Sequence, residues 1–159
     1  MRVVFYGKRN TGVLVLLYLI GRGFEISVIP EDKMVLDIAD YFKLPIVSLD
    51  KMGVFDLFIC CHGNKIIPKE YLIQDKFINI HPCIRYKGHD PIKRYIENED
   101  TEASIDSHYM TERVDEGELI KSIKFTTPIV RFYAEFYNIA YQHYITCIHE
   151  TLQSLQRSR

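Results

Sequence analysis

The sequence predicts an α/β domain: a doubly wound, mostly parallel sheet that opens with a βαβ unit and closes with a long C-terminal helix. Three observations predict it. Strand-like and helix-like segments alternate from the first residues onward. Residues 55–61 and 77–81 are apolar runs of the kind required by strands covered on both faces. The C-terminal stretch carries apolar residues at helical spacing without a break. A chain of 159 residues buries about 70% of its unfolded surface, enough for one core without a disulfide or metal staple.

Residues 2–6 form a short β-branched and aromatic run, closed by Gly7 and a polar turn through Asn10. Asn10 or Thr11 caps a helix carrying Val13, Leu14, Leu16, Leu17 and Ile20, which stops at Gly21 and Gly23. Residues 24–29 make a second strand, ended by Pro30. Residues 33–42 read as a helix, apolar at Met34, Leu36, Ile38, Ala39 and Phe42, and residues 45–47 as a brief third strand. After the buried strand at 55–61, residues 68–72 form a helical turn and residues 77–81 another buried strand. This succession implies right-handed crossovers and a sheet covered on both sides. Residues 90–98 are the next helix. Residues 103–111 and 118–125 are strands joined through a polar turn at 115–117.

Residues 126–155 read as one helix, with Thr126 or Thr127 as cap and Pro128 near its first turn. At 1.5 Å per residue it would reach about 45 Å. One stripe runs through Ile129, Phe132, Phe136, Ile139, His143 and Cys147, and a second through Tyr133, Tyr137, Tyr141, Tyr144 and Ile148. A helix apolar on two sides must bury both. The cover is either the sheet with its loops or, through the tyrosines, a second copy, because aromatic residues are enriched at interfaces.

Composition narrows the function. Hydrophobic residues at 47%, aromatic at 13% and charged at 26% match an ordinary globular domain and exclude intrinsic disorder. Twenty basic against 21 acidic residues leave a net charge of −1, which supplies no general attraction to nucleic acid. The apolar stretch 13–20 is too short to span a bilayer. Cys60 and Cys61 are adjacent, so their side chains leave opposite faces of a strand. Cys83 and Cys147 stand alone, no CxxC pair occurs, and no metal site is expected. Residues 1–6 already read as a strand rather than a leader, and the expected compartment is the cytoplasm, with no nucleic-acid or membrane partner.

Two segments carry chemistry. Asn79 and His81 are two apart on a buried strand, so both point to one side. They tie down neighbouring loops, or they aim two donors at one developing negative oxygen. Asp115 precedes a glycine turn, where an acid is common for local reasons. If the 103–111 strand lies beside 77–81, Asp115 comes within reach of His81 and favours its charged form. Asp32 follows the second strand where a ribose-binding acid would lie, but the glycine fingerprint of a nicotinamide-binding domain is absent.

Asn79-Ile80-His81-Pro82, then Arg85-Tyr86-Lys87-Gly88 with Pro91, then His108, then Asp115-Glu116-Gly117-Glu118-Leu119-Ile120 together resemble the folate-dependent formyltransferases. That family's ordered pattern is N-x-H-P, a loop ending in Y-R-G, a later histidine, and D-x-G-x-I. The likeness covers nearly the whole chain, from a Rossmann-like first βαβ unit to the terminal helix, and is nearest in type to the sugar N-formyltransferases. It implies a catalytic trio of Asn79, His81 and Asp115, with 10-formyltetrahydrofolate as donor and no metal. It also implies folate contacts from Cys61, His62, Gly63, Asn64, Ile66, Val114, Glu116 and Gly117. Arg85, Tyr86, Lys87, Gly88 and His108 would face the acceptor, with Lys93 and Arg94 near enough to meet a phosphate. The loop after Pro82 is two residues shorter than the family's and lacks its inner proline. With no basic excess and no second domain after the terminal helix, the expected acceptor is an amino sugar on a nucleotide rather than an aminoacyl-tRNA. A formyltetrahydrofolate hydrolase and a non-catalytic folate- or partner-binding member use the same residues and remain the alternatives.

Overall fold

The computed structural model describes residues 1–73 and 76–157. Its elements are β1 (Arg2–Gly7), α1 (Arg9–Gly21), β2 (Glu25–Pro30), α2 (Lys33–Tyr41), β3 (Leu57–Cys61), β4 (Phe77–Pro82), α3 (Pro91–Glu97), β5 (Glu102–Tyr109), β6 (Leu119–Thr126) and α4 (Tyr133–Arg157). The six strands form a mostly parallel sheet in the order β2-β1-β3-β4-β5-β6. The chain divides into two compact units, Met1–Asn79 and Ile80–Arg159.

In the first unit β1 runs parallel to both β2 and β3, with Val3 opposite Ile26 on one side and Leu57 on the other. Val3, Val4, Phe5 and Tyr6 are all buried in succession, as a strand covered on both faces requires. Val15, Leu16 and Leu19 of α1 and Val35 and Ala39 of α2 join that core, and Phe58 stacks on Phe77 with ring centroids 4.4 Å apart. Neither Asn10 nor Thr11 caps α1. The cap position is Lys8, whose carbonyl accepts Gly12 N–H at 3.0 Å. The acceptor for this helix start comes instead from Asp32, which takes Arg9 N–H at 2.6 Å and Val35 N–H at 3.0 Å, serving α1 and α2 at once. Both oxygens of Asp32 thus hold backbone amides, a structural reason for an acid at that place. The strand expected at 45–47 is a single bridge between Val28 and Ile46. Pro45 has no N–H to extend the ladder backward. The helical turn expected at 68–72 is present as a 3₁₀ turn, Lys69–Tyr71.

In the second unit β5 and β6 are antiparallel, from Glu102 opposite Thr126 to His108 opposite Leu119, with an irregularity between Ser107 and His108. Asp90 caps α3 by accepting Lys93 N–H at 3.2 Å, and Pro91 opens the helix. The terminal helix begins at Tyr133, not at residue 126. Thr126 still pairs with Glu102, and Thr127 is held extended by its N–H to the Thr101 carbonyl at 2.8 Å and by its hydroxyl against Tyr95 Oη at 2.7 Å. Glu135 closes the helix start, accepting Arg131 N–H at 2.7 Å and Phe132 N–H at 3.2 Å.

The later start removes Ile129 and Phe132 from the helix, leaving them 52% and 66% exposed. One buried stripe then replaces the two expected: Phe136, Ala140, Tyr144, Cys147, Ile148, Thr151 and Leu152. Tyr137 and Tyr141 flank it half-buried and stack on each other. Thr151 donates to the Cys147 carbonyl at 2.7 Å, so Ser107 of β5 is the donor in its 2.6 Å bond to Thr151. Among the described residues no helix is long and apolar enough to cross a membrane.

Candidate active site

β4 carries Asn79 and His81 at alternate positions, Asn79 half-buried and His81 buried. The side chain that meets His81 comes from the turn after β5. Asp115 is buried, and its Oδ2 lies 3.0 Å from His81 Nε2. The same oxygen accepts the Gly88 N–H at 2.7 Å, while Oδ1 lies 3.4 Å from Nε2 of the buried His108. His108 Nδ1 is 2.9 Å from the Tyr109 carbonyl. One carboxylate thus gathers two imidazoles and a backbone amide. Burial works to raise the Asp115 pKa. The hydrogen bonds from His108 and His81, the charge of His81 and the Gly88 amide outweigh it and hold the carboxyl far below the usual carboxylate range. His81 Nδ1, buried, has no hydrogen-bond partner among the described residues. A buried ring nitrogen left in that state is suited to meet a polar atom of a bound molecule.

Local geometry explains how the turn delivers Asp115. Asp115 has a left-handed backbone, φ 56°, which aspartate tolerates better than most residues. Two residues on, a Cβ on Gly117 would stand 1.6 Å from the Tyr109 carbonyl oxygen, so only glycine lets the chain pass β5. Tyr109 N–H closes the return by donating to the Glu118 carbonyl at 2.9 Å. Val114 is half exposed beside this turn, and Glu116 faces Arg113 at 3.5 Å.

The segment after β4 is pinned from two sides. Cys83, left-handed at φ 51° and buried, donates its N–H to the Ser104 carbonyl at 2.8 Å, and burial pushes its thiol up to about 11. Asp106, fully buried on β5, accepts the Ile84 N–H at 3.3 Å and the Ser104 hydroxyl. Arg85 pairs with Asp100 at 2.5 Å and donates to the Glu102 carbonyl at 3.0 Å. Tyr86 gives its hydroxyl to Asp100 and receives the Asn98 amide at 2.8 Å. Lys93 faces Glu97 at 3.8 Å, and Arg94 reaches the carbonyls of Tyr86, Lys87 and His89. The basic residues expected to converge on a phosphate are therefore mostly engaged within their own unit. Lys87 is exposed and makes no ion pair among the described residues.

In the first unit, residues 61–67 fold down onto β1. The Cys61 carbonyl accepts Lys8 N–H at 3.3 Å, and His62 is left-handed at φ 61°. A Cβ on Gly63 would stand 2.1 Å from Tyr6 Cε1. Tyr6 Oη accepts Lys65 N–H at 3.0 Å, with its own ionisation pushed well up by burial. Asn64 accepts from Lys8 Nζ, and Ile66 is 74% exposed.

Of the residues expected at the site, His81, His108 and Asp115 are brought together, while the sequence assigned no role to Asp106 and set Arg94 toward a phosphate. Asp106 had a legible signal, since it shares the face of His108 in an alternating strand. Arg94 had none, because its partners are backbone carbonyls, which residue type does not encode.

The formyl transferase family model matches residues 46–131, more than half of the chain, and the chain belongs to that family. The methionyl-tRNA formyltransferase of Protochlamydia amoebophila is 28% identical over 151 residues, covering 77% of this chain and 48% of that protein. The corresponding enzyme of Mycoplasmopsis pulmonis is 26% identical over 116 residues, covering 65% of this chain and 39% of its own length. The chain thus spans about half or less of the length of these relatives. Among solved structures, WlaRD, a sugar 3N-formyl transferase crystallised in the presence of dTDP and 5-N-formyl-THF, superposes with a TM-score of 0.86 at 23% identity, covering 99% of this chain and 64% of that one. The N-formyltransferase of Helicobacter canadensis, in complex with folinic acid and dTDP-3-aminofucose, gives 0.86 at 20% identity, covering 98% and 64%. At these identities the superpositions establish a shared fold.

Proposed function

We propose that this chain is the catalytic part of an amine N-formyltransferase acting in the cytoplasm. It takes the formyl group from 10-formyltetrahydrofolate and passes it to the primary amine of a nucleotide-linked amino sugar. The observation that carries the reading is the buried pair of His81 and Asp115, 3.0 Å apart, with His81 Nδ1 left for a substrate atom.

Attack of the amine nitrogen on the formyl carbon forms a C–N bond and moves the carbonyl electrons onto oxygen. Asn79 and protonated His81 donate to that oxyanion, and a preorganised donor of this kind is worth about 3–4 kcal/mol. Asp115, held ionised by its three donors, keeps the imidazole aimed. The oxyanion then collapses, the bond from carbon to the folate nitrogen breaks, and that nitrogen gains the proton lost by the amine, relayed directly or through water. On the same reading Cys61, His62, Gly63, Asn64, Ile66, Val114, Glu116 and Gly117 contact the folate. Tyr86, Lys87, Gly88 and His108 serve the acceptor side, with Lys87 as the cation nearest to being free for a phosphate.

Two observations support the sugar acceptor: the likeness to sugar formyltransferases over nearly the whole chain, and a net charge of −1 that offers no general attraction to tRNA. A methionyl-tRNA acceptor is the second reading, favoured by the curated relatives. Calorimetry with 5-formyltetrahydrofolate, an unreactive analogue of the donor, tests the assignment. Saturable binding, weakened in Asp115→Ala, is expected; no binding to a folded wild type would overturn it.

A further inference from the structure

We propose that Arg94 is a positioning residue for Asp115 and acts through the peptide bond that joins Lys87 to Gly88. The inference rests on the assignment of Asp115 to the formyl-transfer centre. Arg94 sits on α3 with its Nη2 2.7 Å from the Lys87 carbonyl oxygen and 3.1 Å from those of Tyr86 and His89. Its guanidinium also lies over the Tyr86 ring, 5.5 Å from the centroid. The chain around Gly88 is therefore wrapped about one cation. The shortest of these bonds is to the carbonyl of the peptide whose other end, the Gly88 N–H, donates to Asp115 Oδ2 at 2.7 Å.

A cation at the oxygen and an anion at the N–H of one peptide polarise it in the same direction, so each hydrogen bond strengthens the other. The consequence reaches His81, because the oxygen that accepts from Gly88 is the one 3.0 Å from His81 Nε2. Wherever the Gly88 amide is held, Oδ2 is held, and the imidazole is aimed accordingly. Gly88 is glycine for a conformational reason. Its φ is +82°, and a Cβ there would meet nothing within 4 Å. All three bonds run from the one nitrogen Nη2, so lysine would restore the charge of Arg94 but not the rigid guanidinium that lies over the Tyr86 ring.

The test uses the whole chain and two readouts. Amide hydrogen exchange followed by NMR reports on Gly88, with Ile105 of β5 as the internal control, and steady-state kinetics separate kcat from the amine KM. In Arg94→Met, Gly88 exchange is expected to accelerate about tenfold with Ile105 unchanged. At the same time kcat falls about tenfold, with any rise in the amine KM through Tyr86 and Lys87 read separately, and Arg94→Lys recovers part of both. If Gly88 keeps wild-type protection, or if Ile105 loses protection in step with it, Arg94 merely props the fold and the proposal is overturned. Should Arg94→Met fail to fold, Arg94→Lys carries the same comparison: faster Gly88 exchange beside unchanged Ile105 supports the relay, and unchanged Gly88 refutes it. Exchange needs no formyl donor, so a wild type inactive toward every acceptor would sink the formyl-transfer reading while leaving the Gly88 result legible.

Discussion

Replacing Gly117 by alanine adds one carbon atom and should disable the candidate site by displacing Asp115, two residues away. The new Cβ would lie 1.6 Å from the Tyr109 carbonyl oxygen and 2.7 Å from its carbon. Ordinary contact requires the two segments to separate by about 1.5 Å or more. Tyr109 ends β5, whose residues up to His108 are paired with β6, so the turn after Asp115 moves instead. That motion strains the Tyr109 N–H bond to Glu118, now 2.9 Å, and carries Asp115 away from His81 and Gly88, now 3.0 and 2.7 Å distant. A misplacement of about 1 Å in a catalytic group costs on the order of 10²-fold in rate, while an overpacked contact costs about 1–3 kcal/mol of stability. The assay is formyl transfer under saturating donor, paired with urea unfolding of the same preparation. A variant that turns over within about twofold of wild type would refute the claim that the turn's path past β5 sets the position of Asp115.

Burial opposes ionisation of Asp115, but its bonds to His108, His81 and Gly88 prevail, so its folded pKa lies below the unfolded one. The carboxylate therefore stabilises the fold above the ordinary carboxylate pKa, and this contribution is lost as pH falls below about 4. Urea midpoints of wild type and Asp115→Asn should differ at pH 6 and converge toward pH 3; a constant gap would contradict the assignment. Thr127→Val leaves the buried Tyr95 hydroxyl without its 2.7 Å partner and should cost about 1–3 kcal/mol. Adding Tyr95→Phe should return much of that loss, and additive losses would show that the bond is not what holds residue 127.

The sheet was legible because its strands are almost pure. Residues 3–6 and 57–61 are apolar on both faces, and residues 77–81 depart only at Asn79 and His81, a pattern no helix of a small domain demands. Helix boundaries were less so. Residues 126–132 look like a helix start, with threonine, proline and apolar spacing, yet Thr126 pairs with Glu102 and Thr127 with Thr101, contacts between residues far apart in sequence. The cap of α1 was missed for the same reason, because Asp32 supplies it from beyond β2. Asn79 and His81 were visible by their cost inside an otherwise apolar strand. Asp115 looked like a turn residue until the turn brought it within 3.0 Å of His81. What the order of residues conceals is the backbone's share: the Gly88 amide on Asp115 and the carbonyls on Arg94 carry no signature in side-chain type.

On the proposed function, His81, backed by Asp115, drives transfer of a formyl group onto an amine. Mass spectrometry of reactions containing 10-formyltetrahydrofolate and either a nucleotide-linked amino sugar or methionyl-tRNA, with formate measured in parallel, tests it for wild type and His81→Ala. A formylated amino sugar is expected, with one tetrahydrofolate per formyl group and a rate at least about 10²-fold lower in His81→Ala. Formate without a formylated amine, or equal rates in the two proteins, would contradict it.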